Sequence, residues 1–518
     1  MATPLLEPIH APEWDRRKAR HLLNRAGFGL THARLDRLAA LQPAAAVDYF
    51  VDFEEQPDAG AAPGFLVEPV GREEIRRRYA AATEEERRKA LNEYQQQERL
   101  AIQQLKAWWL HRMYTTERPL QEKLALFWHG HFATSAQKVK SSWHTHQLND
   151  VFRRNGAGNF KKLAIEVGQS PSMLRYLDNV QSTKKHPNEN WARELMELFT
   201  MGKGAYTEDD IKNSARAFTG WSADHRQFVY REDYHDTGDK VFLGRRGDFD
   251  GWDIFDIIFE QQAPANFIAK KLWTYFAYED PEPEIVEGLA STLRQGNYEL
   301  RPMLRQMFMA QAFYSDKAIA QQVKSPVQTV LQLASDLDYD NPPFSAMAQA
   351  TQRLGQDLFF PPNVKGWDGG RAWVNANTLL VRYNLPGYLV TAKLKKEDLA
   401  MMAYLGQAGL QSGQDSPSMT GSAMASMTGD ANSDAALPQW NAQEFFASME
   451  YSTLNECIAQ MEDRFLSAPL SPEQRAVLIA SLGVEGDPAA PVGDKAIPQR
   501  FLFATLHLLL STAEYQLC

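Results

Sequence analysis

Histidine, the side chain that binds metals and moves protons near neutral pH, is concentrated in one part of this sequence. Seven of the 12 histidines fall between residues 129 and 235. They are His129, His131, His144, His146, His186, His225 and His235. The same stretch includes residues 186–194, which carry two glutamates and two asparagines. This concentration predicts that a functional site lies within the stretch.

Glu194 is the first candidate for the chemistry. The sequence predicts a helix over residues 189–200, with its apolar residues on one stripe. Glu194 lies at the edge of that stripe, and Asn190 precedes it by one turn. A carboxylate there is partly desolvated, so it has to be paired, coordinated or raised in pKa. Glu194 is therefore either a ligand or general base, or a buried carboxylate that locks helices together.

The closely spaced histidines suggest a metal site. Side chains that lie two residues apart on a helix point about 200° away from each other, so they cannot bind the same metal ion. Gly130 predicts that the helix ends there, so that His129 and His131 can both turn into one pocket. The hypothetical ligands of a divalent metal are His129, His131, one of His144 or His146, and Glu194. Alternatively, these histidines bond backbone carbonyls or cap helix ends, and no His-Glu-x-x-His motif is present.

Two histidines have a carboxylate at useful spacing. His146 and Asp150 lie four residues apart on a predicted helix, an arrangement in which a carboxylate orients an imidazole. His235 and Asp236 lie in a polar, glycine-containing loop and could form an acid–base pair. The alternative for that loop is a tight turn in which Asp236 bonds its own backbone.

Helical patterning dominates the rest of the sequence. It predicts a mainly α protein with a large multi-helix body and a small β-hairpin near residues 220–245, built from the segments 227–230 and 240–243. Residues 72–115 are expected to form a long, charged helical stretch, in which the run at residues 84–89 is a solvated face.

Composition changes along the chain suggest four segments. Residues 1–116 form N-terminal helices with the long charged arm, and residues 117–400 form the main body with the His/Glu/Asn-rich motifs. Residues 401–440 are rich in Ser, Gly and Met and are expected to be a flexible linker or insertion. Residues 441–518 are expected to form helices that pack back on the body.

Bulk composition excludes several classes of protein. The chain has 518 residues, 44% of them hydrophobic, and a formal charge of -10, which argues against general affinity for nucleic acid or anionic membrane. No apolar run approaches the 18 or so residues that a spanning helix requires. The N-terminus lacks a basic segment followed by an apolar run, so the sequence as given predicts a cytoplasmic protein.

Several motifs together resemble the bacterial domain-of-unknown-function 1800 family. They are HLLNRAGFG (21–29), FWHGHF (127–132), NENWARELMELFTMG (188–202), AFTGW (217–221), HD (235–236) with KVFLG (240–244), VKGW (364–367) and LLLSTAEYQ (508–516). The resemblance implies a mostly helical fold and no known activity. It also implies a co-encoded, sulfatase-like partner and export to the periplasm or beyond, although this chain lacks an export signal.

Two functions remain open at this point. One is a metal- or His/Glu-assisted hydrolase that acts on an extracellular polymer or its substituents. Its pocket residues would be His129, His131, Glu194, His235 and Asp236. The other is a non-catalytic binding or assembly protein that docks the sulfatase-like partner. The enzyme hypothesis requires the five residues to converge on an open cleft. The binding-protein hypothesis predicts that they are buried and that they satisfy each other's hydrogen bonds.

Overall fold

Helices make up most of the computed structural model, which confirms the predicted mainly α class. It describes residues 3–29, 32–58, 60, 62–391, 445–446, 449, 451–481 and 499–518. The expected linker at 401–440 lies outside the described residues. No helix in the described ranges is long and apolar enough to cross a membrane.

Contacts between residues divide the chain into two units. The first comprises Met1–Phe28, Leu38–Ala318 and Asp357–Asp368, and the second comprises Gly29–Arg37, Ile319–Gln356 and Gly369–Cys518. All the candidate site residues belong to the first unit. The four-segment division remains a prediction.

The described helices range from four to 32 residues in length. Up to residue 176 they are α1 (Arg16–Ala26), α2 (His32–Ala39), α3 (Pro43–Val51), α4 (Arg72–Arg78), α5 (Glu84–Thr115), α6 (Pro119–His131), α7 (Ala136–Val139), α8 (Ser142–Asn155), α9 (Phe160–Gln169) and α10 (Pro171–Tyr176). From residue 189 they are α11 (Glu189–Glu194), α12 (Glu208–Ala217), α13 (Gly251–Phe259), α14 (Ala263–Phe276), α15 (Pro283–Gln295), α16 (Leu300–Met309), α17 (Pro326–Asp336), α18 (Phe344–Arg353), α19 (Ala376–Thr391), α20 (Leu454–Phe465), α21 (Pro472–Ser481) and α22 (Gln499–Ser511).

The long charged stretch is two helices rather than one. A new helix, α5, begins at residue 84 because Thr83 and Glu86 form a capping box. The Thr83 hydroxyl accepts the Glu86 N–H at 3.3 Å, and the Glu86 carboxylate accepts the Thr83 N–H at 2.7 Å. Residues 84–97 are almost entirely exposed, as expected for a solvated arm, whereas the second half of α5 is packed into the first unit.

Two short antiparallel hairpins interrupt the helices near the predicted position. Their strands are β1 (Trp221–Ala223), β2 (Phe228–Tyr230), β3 (Lys240–Phe242) and β4 (Arg245–Gly247), paired β1 with β2 and β3 with β4. The predicted pairing of 227–230 with 240–243 is therefore wrong. A tight turn lets β3 pair with its neighbour instead, because Leu243 and Gly244 adopt φ of 47° and 80°, the positive values that a two-residue primed turn requires.

A fully buried carboxylate ties three helices of the first unit together. Glu122 on α6 accepts hydrogen bonds from Trp109 Nε1 at 2.8 Å and Arg112 Nε at 2.5 Å, both on α5. Arg153 on α8 donates to the same carboxylate from Nε at 2.6 Å. Burial alone would raise the pKa of Glu122, but the two guanidinium groups overcome this and lower it. The carboxylate is therefore charged and fixes the positions of the three helices.

The motif at 21–29 also has a structural function. Arg25 on α1 donates from Nε to the Phe276 carbonyl at 2.8 Å and from Nη2 to the Ala277 carbonyl. These carbonyls lie at the end of α14, where helices leave acceptors without intrahelical partners and favour a positive charge. Arg25 thus caps α14, the helix that carries Lys271.

We predict that Glu122→Gln lowers the free energy of unfolding of the first unit by about 3–5 kcal/mol, because two buried arginines lose the buried charge between them and keep only the more exposed Asp58 and Asp150. Chemical denaturation followed by tryptophan fluorescence measures the loss. Glu208→Gln is the matched control, because it removes an exposed ion pair with Arg193. Equal stability of the two variants would contradict a central role for Glu122.

Candidate active site

Helix α6 continues through Gly130, so the prediction that it ends there is wrong. The Phe132 N–H closes the last turn on the Trp128 carbonyl at 2.8 Å. The requirement for glycine lies instead at Gly366, whose φ is 79°: a Cβ there would lie only 2.1 Å from the Gly130 carbonyl oxygen. The two backbones meet where only glycine fits at position 366. His129 and His131 consequently lie two residues apart on a helix and face different surroundings.

His129 is buried in an aromatic environment. Its Nε2 accepts the Phe359 N–H at 3.0 Å, so the neutral ring carries its proton on Nδ1. The centre of its ring lies 5.5 Å from that of Trp109, 5.3 Å from that of Phe359 and 5.4 Å from that of Trp367. The rings of Trp109 and Phe359 stack on each other at 5.1 Å. Burial lowers the pKa of His129 to about 3. The ring is a neutral hydrogen-bond acceptor at physiological pH.

His131 faces α14 and the segment that follows α11. Its Nε2 lies 2.9 Å from the Phe199 carbonyl oxygen, so Nε2 carries the proton and donates it. Its Nδ1 lies 3.4 Å from Lys271 Nζ. Burial, followed by the charge of Lys271, holds the pKa of His131 well below its usual value. His131 is therefore also neutral, with the opposite tautomer.

The helix changes type immediately after Glu194. Leu195–Thr200 form a π-helix, in which the Met201 N–H bonds the Met196 carbonyl at 2.9 Å. The Thr200 hydroxyl also donates to the Leu195 carbonyl at 2.6 Å. Short π segments are rare and are frequent at functional sites. Here the wider turn accompanies a contact between the Phe199 carbonyl and His131.

Glu194 is half-buried at the junction between α11 and this π segment. No hydrogen bond or ion pair to its carboxylate occurs within the described ranges. Burial raises its pKa, and the negative charge of Glu197 raises it further, against the opposing charges of Arg193 and Lys365. Glu194 thus holds its proton to a higher pH than an ordinary glutamate.

Glu197, one turn along, has a different environment. Its carboxylate accepts a hydrogen bond from the Tyr206 hydroxyl at 3.4 Å and lies 3.3 Å from Lys203 Nζ. A phenol and a cation are thus the partners of this carboxylate. The π segment therefore begins beside two carboxylates, of which one is unpaired and the other is paired.

A cleft of about 420 Å³ lies in the first unit. It is lined by Ser135, Gln137, Lys138, Lys140, Tyr176, Pro361 and Pro362. Tyr176 links the cleft to Glu194, because burial and then the Glu194 charge raise the pKa of its phenol. Lys138 forms an ion pair with Asp178 at 2.7 Å. The cleft therefore combines an aromatic ring, prolines and cations, and the charge of Glu194 acts on its tyrosine.

His144 and His146 both lie on α8, as predicted, and face different partners. His144 Nε2 lies 3.0 Å from the His225 carbonyl, and its Nδ1 lies 2.7 Å from Arg175 Nη1. Burial first, and then the Arg175 charge, lower the pKa of His144 to about 4. This ring bridges a carbonyl and a guanidinium.

His146 packs against Trp108, with ring centroids 5.3 Å apart. Burial, with the charge of Arg153, lowers its pKa to about 4. Asp150 bonds Arg154 Nε at 2.8 Å instead of bonding His146, and it acts on the imidazole through its charge.

His235 and Asp236 also have separate partners. His235 is buried, and its Nδ1 lies 2.9 Å from the Thr219 carbonyl. The Asp236 carboxylate bonds Arg216 at 2.7 and 3.1 Å and accepts the Gly238 N–H at 2.9 Å. The hydrogen bonds to Arg216 lower the pKa of Asp236. Both residues hold the loop before β3 against α12.

Comparison with known families now accounts for these motifs. The family model described as "Protein of unknown function (DUF1800)" matches residues 21–517. The chain belongs to the DUF1800 family. No curated protein and no solved structure matches it.

In this DUF1800 protein the expected metal ligands have different neighbours. His129 bonds Phe359, His131 bonds Phe199, and Glu194 has no such bond in the described ranges. Across the part of the chain that the structure describes, no group of three or more His, Cys, Asp and Glu side chains could hold a metal ion.

Sequence reasoning missed Tyr176 and Lys271. Tyr176 carries no spacing signal, because its position depends on how α10 packs. Lys271 did have one: it follows Ile268 by three residues and precedes Tyr275 by four, which places a lysine on the apolar stripe of α14. A charged residue on such a stripe is as informative as Glu194 on its own helix.

The low pKa of His129 predicts a pH dependence of stability. In the unfolded chain the His129 ring binds a proton near pH 6.5, whereas in the folded chain it stays neutral down to about pH 3. The free energy of unfolding therefore falls as the pH drops below 6.5. His129→Gln keeps an acceptor but cannot titrate. When the pH is lowered from 7 to 5, we expect the free energy of unfolding of the variant to fall by about 2 kcal/mol less than that of the wild type.

Denaturant titrations at both pH values measure this difference, with the exposed His186→Gln as the control. An equal pH-dependent loss in wild type and His129→Gln would show that His129 protonates in the folded protein.

Proposed function

We propose that this DUF1800 protein is a hydrolase that uses carboxylate acid–base chemistry on an extracellular polymer or its substituents. The observation that carries the proposal is Glu194: of the five expected pocket residues, it is the one without a hydrogen bond or ion pair in the described ranges. A half-buried carboxylate left unpaired costs stability, which a protein tolerates where the group has a function.

The contrast between Glu194 and Glu197 supports acid–base roles. Two nearby carboxylates in different environments can divide the work between a general acid and a general base. Glu194, with its raised pKa, donates a proton to the leaving oxygen. Glu197, paired with Lys203 and Tyr206, accepts a proton from the attacking water. Water is thereby added across the cleaved bond.

The neighbouring cleft supports a polymeric substrate. The Tyr176 ring and the prolines at 361 and 362 offer flat apolar surfaces, and Gln137 and the lysines offer hydrogen bonds. An extracellular polymer also requires export of the protein, which the family resemblance implies.

The remaining candidate residues have positioning roles in this proposal. They are His129, His131, His146, Asp150, His235 and Asp236. Their side chains hold α6, α8, α12 and the loop before β3 in place. A metal-assisted version would need its ligands brought together by a rearrangement of these contacts.

Glu194→Gln should lower kcat/KM by about 10²–10⁴, the range attributed to a general acid, while barely changing Tm. Dyed polysaccharides and nitrophenyl esters and glycosides provide the activity screen. In the wild type, activity should fall as pH rises through the raised pKa of Glu194, because the acid form is lost.

Glu189→Gln is the matched control, since Glu189 lies on the same helix with an exposed side chain 3.9 Å from Arg193. Equal activity of Glu194→Gln and Glu189→Gln would reject Glu194 as the acid. A large drop in Tm for Glu194→Gln would assign it a structural role.

One observation favours the second candidate, a binding protein that docks a co-encoded sulfatase-like enzyme. The first half of α5 is exposed on nearly every side, and it includes Leu91, which is 55% exposed. A helical arm of this kind can contact a partner without altering the first unit.

For that candidate we expect Leu91→Asp to reduce capture of the purified sulfatase-like protein several-fold in a pull-down. Val477→Asp is the control, because Val477 is also an exposed aliphatic residue, at 68%. Unchanged capture by Leu91→Asp would remove the arm as the docking element.

A further inference from the structure

The cleft lined by Tyr176 carries a local positive charge. Two lysines, Lys138 and Lys140, are among the described residues that line it, and none of those residues is acidic. Lys138 is already paired with Asp178, 2.7 Å away. Lys140 is exposed, and within the described ranges its ammonium group has no ion pair. Lys140 therefore provides the cleft with one cation that no carboxylate neutralises.

Lys140 occupies a backbone position that normally favours glycine or asparagine. It follows the last residue of α7 with φ of 54° and ψ of 34°, the left-handed conformation. Its N–H bonds the Ala136 carbonyl at 2.9 Å and so closes the helix. A lysine in this conformation is less stable than a glycine, and residues of this kind are concentrated at ligand-binding sites. A function for the side chain accounts for the presence of lysine here.

The opposite wall of the cleft, formed by Pro361 and Pro362, is held in place by backbone contacts. Phe359, two residues before the first proline, donates its N–H to His129 Nε2 at 3.0 Å. Its carbonyl accepts the Ala136 N–H at 2.8 Å, which joins the segment with the prolines to α7. Because the two walls are bonded to each other, the cleft is preformed, as binding sites usually are.

Tyr176 favours a sugar as the repeating unit of the bound polymer. Its ring is only partly buried and lines the cleft together with the exposed Gln137. A pyranose has a flat face of C–H groups that packs on an aromatic ring, and its hydroxyls bond side-chain amides. The cleft thus offers a ring, an amide and a cation to one sugar and its substituent.

We propose that the substrate polymer is an anionic polysaccharide and that Lys140 binds its carboxylate or sulfate groups. The sugar ring packs on Tyr176, and the negatively charged substituent lies against the Lys140 ammonium group. This inference rests on the hydrolase proposed above, whose substrate class it narrows. Lys140 determines specificity and takes no part in bond cleavage.

The formal charge of -10 on the whole chain is compatible with this binding. At physiological ionic strength, exposed charges more than about 8 Å apart are largely screened from each other, so distant acidic residues repel the polymer only weakly. Lys140 is in direct contact with the polymer and is not screened in this way. The affinity should therefore depend on Lys140 and not on the net charge of the chain.

The test is binding of the full chain to dextran, carboxymethyl-dextran and dextran sulfate, which share one backbone, measured by biolayer interferometry at physiological ionic strength. We expect the wild type to bind at least one of the two anionic dextrans about tenfold more tightly than dextran. Lys140→Gln should weaken that binding by about three- to tenfold, and Lys140→Arg should retain it. Lys212→Gln is the matched control, because it removes the same charge from an exposed lysine that does not line the cleft.

Equal affinity for dextran and both anionic dextrans, or equal affinities of Lys140→Gln and Lys212→Gln, would overturn the proposal. Equally tight binding of polyglutamate that also depends on Lys140 would overturn it too, because the ligand would then be a polypeptide. Selective binding of an anionic dextran without hydrolysis of any polymer would reject the hydrolase and leave Lys140 as an anion-binding residue. Hydrolysis of neutral polysaccharides alone would reject the anionic substrate and leave the hydrolase.

Discussion

The first unit depends on one buried charge, the Glu122 carboxylate between Arg112 and Arg153. Each guanidinium comes from a different helix, so α5, α6 and α8 can pack together only where all three groups meet. Such a cluster contributes less to net stability than its contacts suggest, because desolvation offsets much of the attraction. Breaking it is nonetheless costly, since a lone charge is left inside. The arrangement therefore specifies the relative positions of the helices, and α6 carries His129 and His131.

That constraint explains why the histidines are neutral. With α6 fixed, His129 accepts a backbone N–H from Phe359 and His131 donates to the carbonyl of Phe199. Both rings are packed among aromatic residues that disfavour a positive charge. The groups that remain for chemistry are those that the packing leaves without such partners in the described ranges. Glu194 is such a group.

Patterns with a local cause were predictable from the sequence, and contacts between distant segments were not. The mainly α class, the helical position of His144 and His146, and the unusual place of Glu194 follow from periodicity within one helix. The end of α6 was misjudged because Gly130 lies within the helix, where its backbone packs against Gly366, more than 200 residues away. The acid–base pairings failed to form for a similar reason: arginines elsewhere in the chain are stronger partners for Asp150 and Asp236 than the histidines are.

The most direct test of the central claim is the imidazole ¹⁵N NMR spectrum of His129 and His131 near pH 6, assigned with single-histidine variants. Both rings should be neutral, with His129 protonated on Nδ1 and His131 on Nε2. Imidazolium or metal-shifted resonances, or the same tautomer at both positions, would contradict the conclusion that these histidines are structural hydrogen-bonding groups.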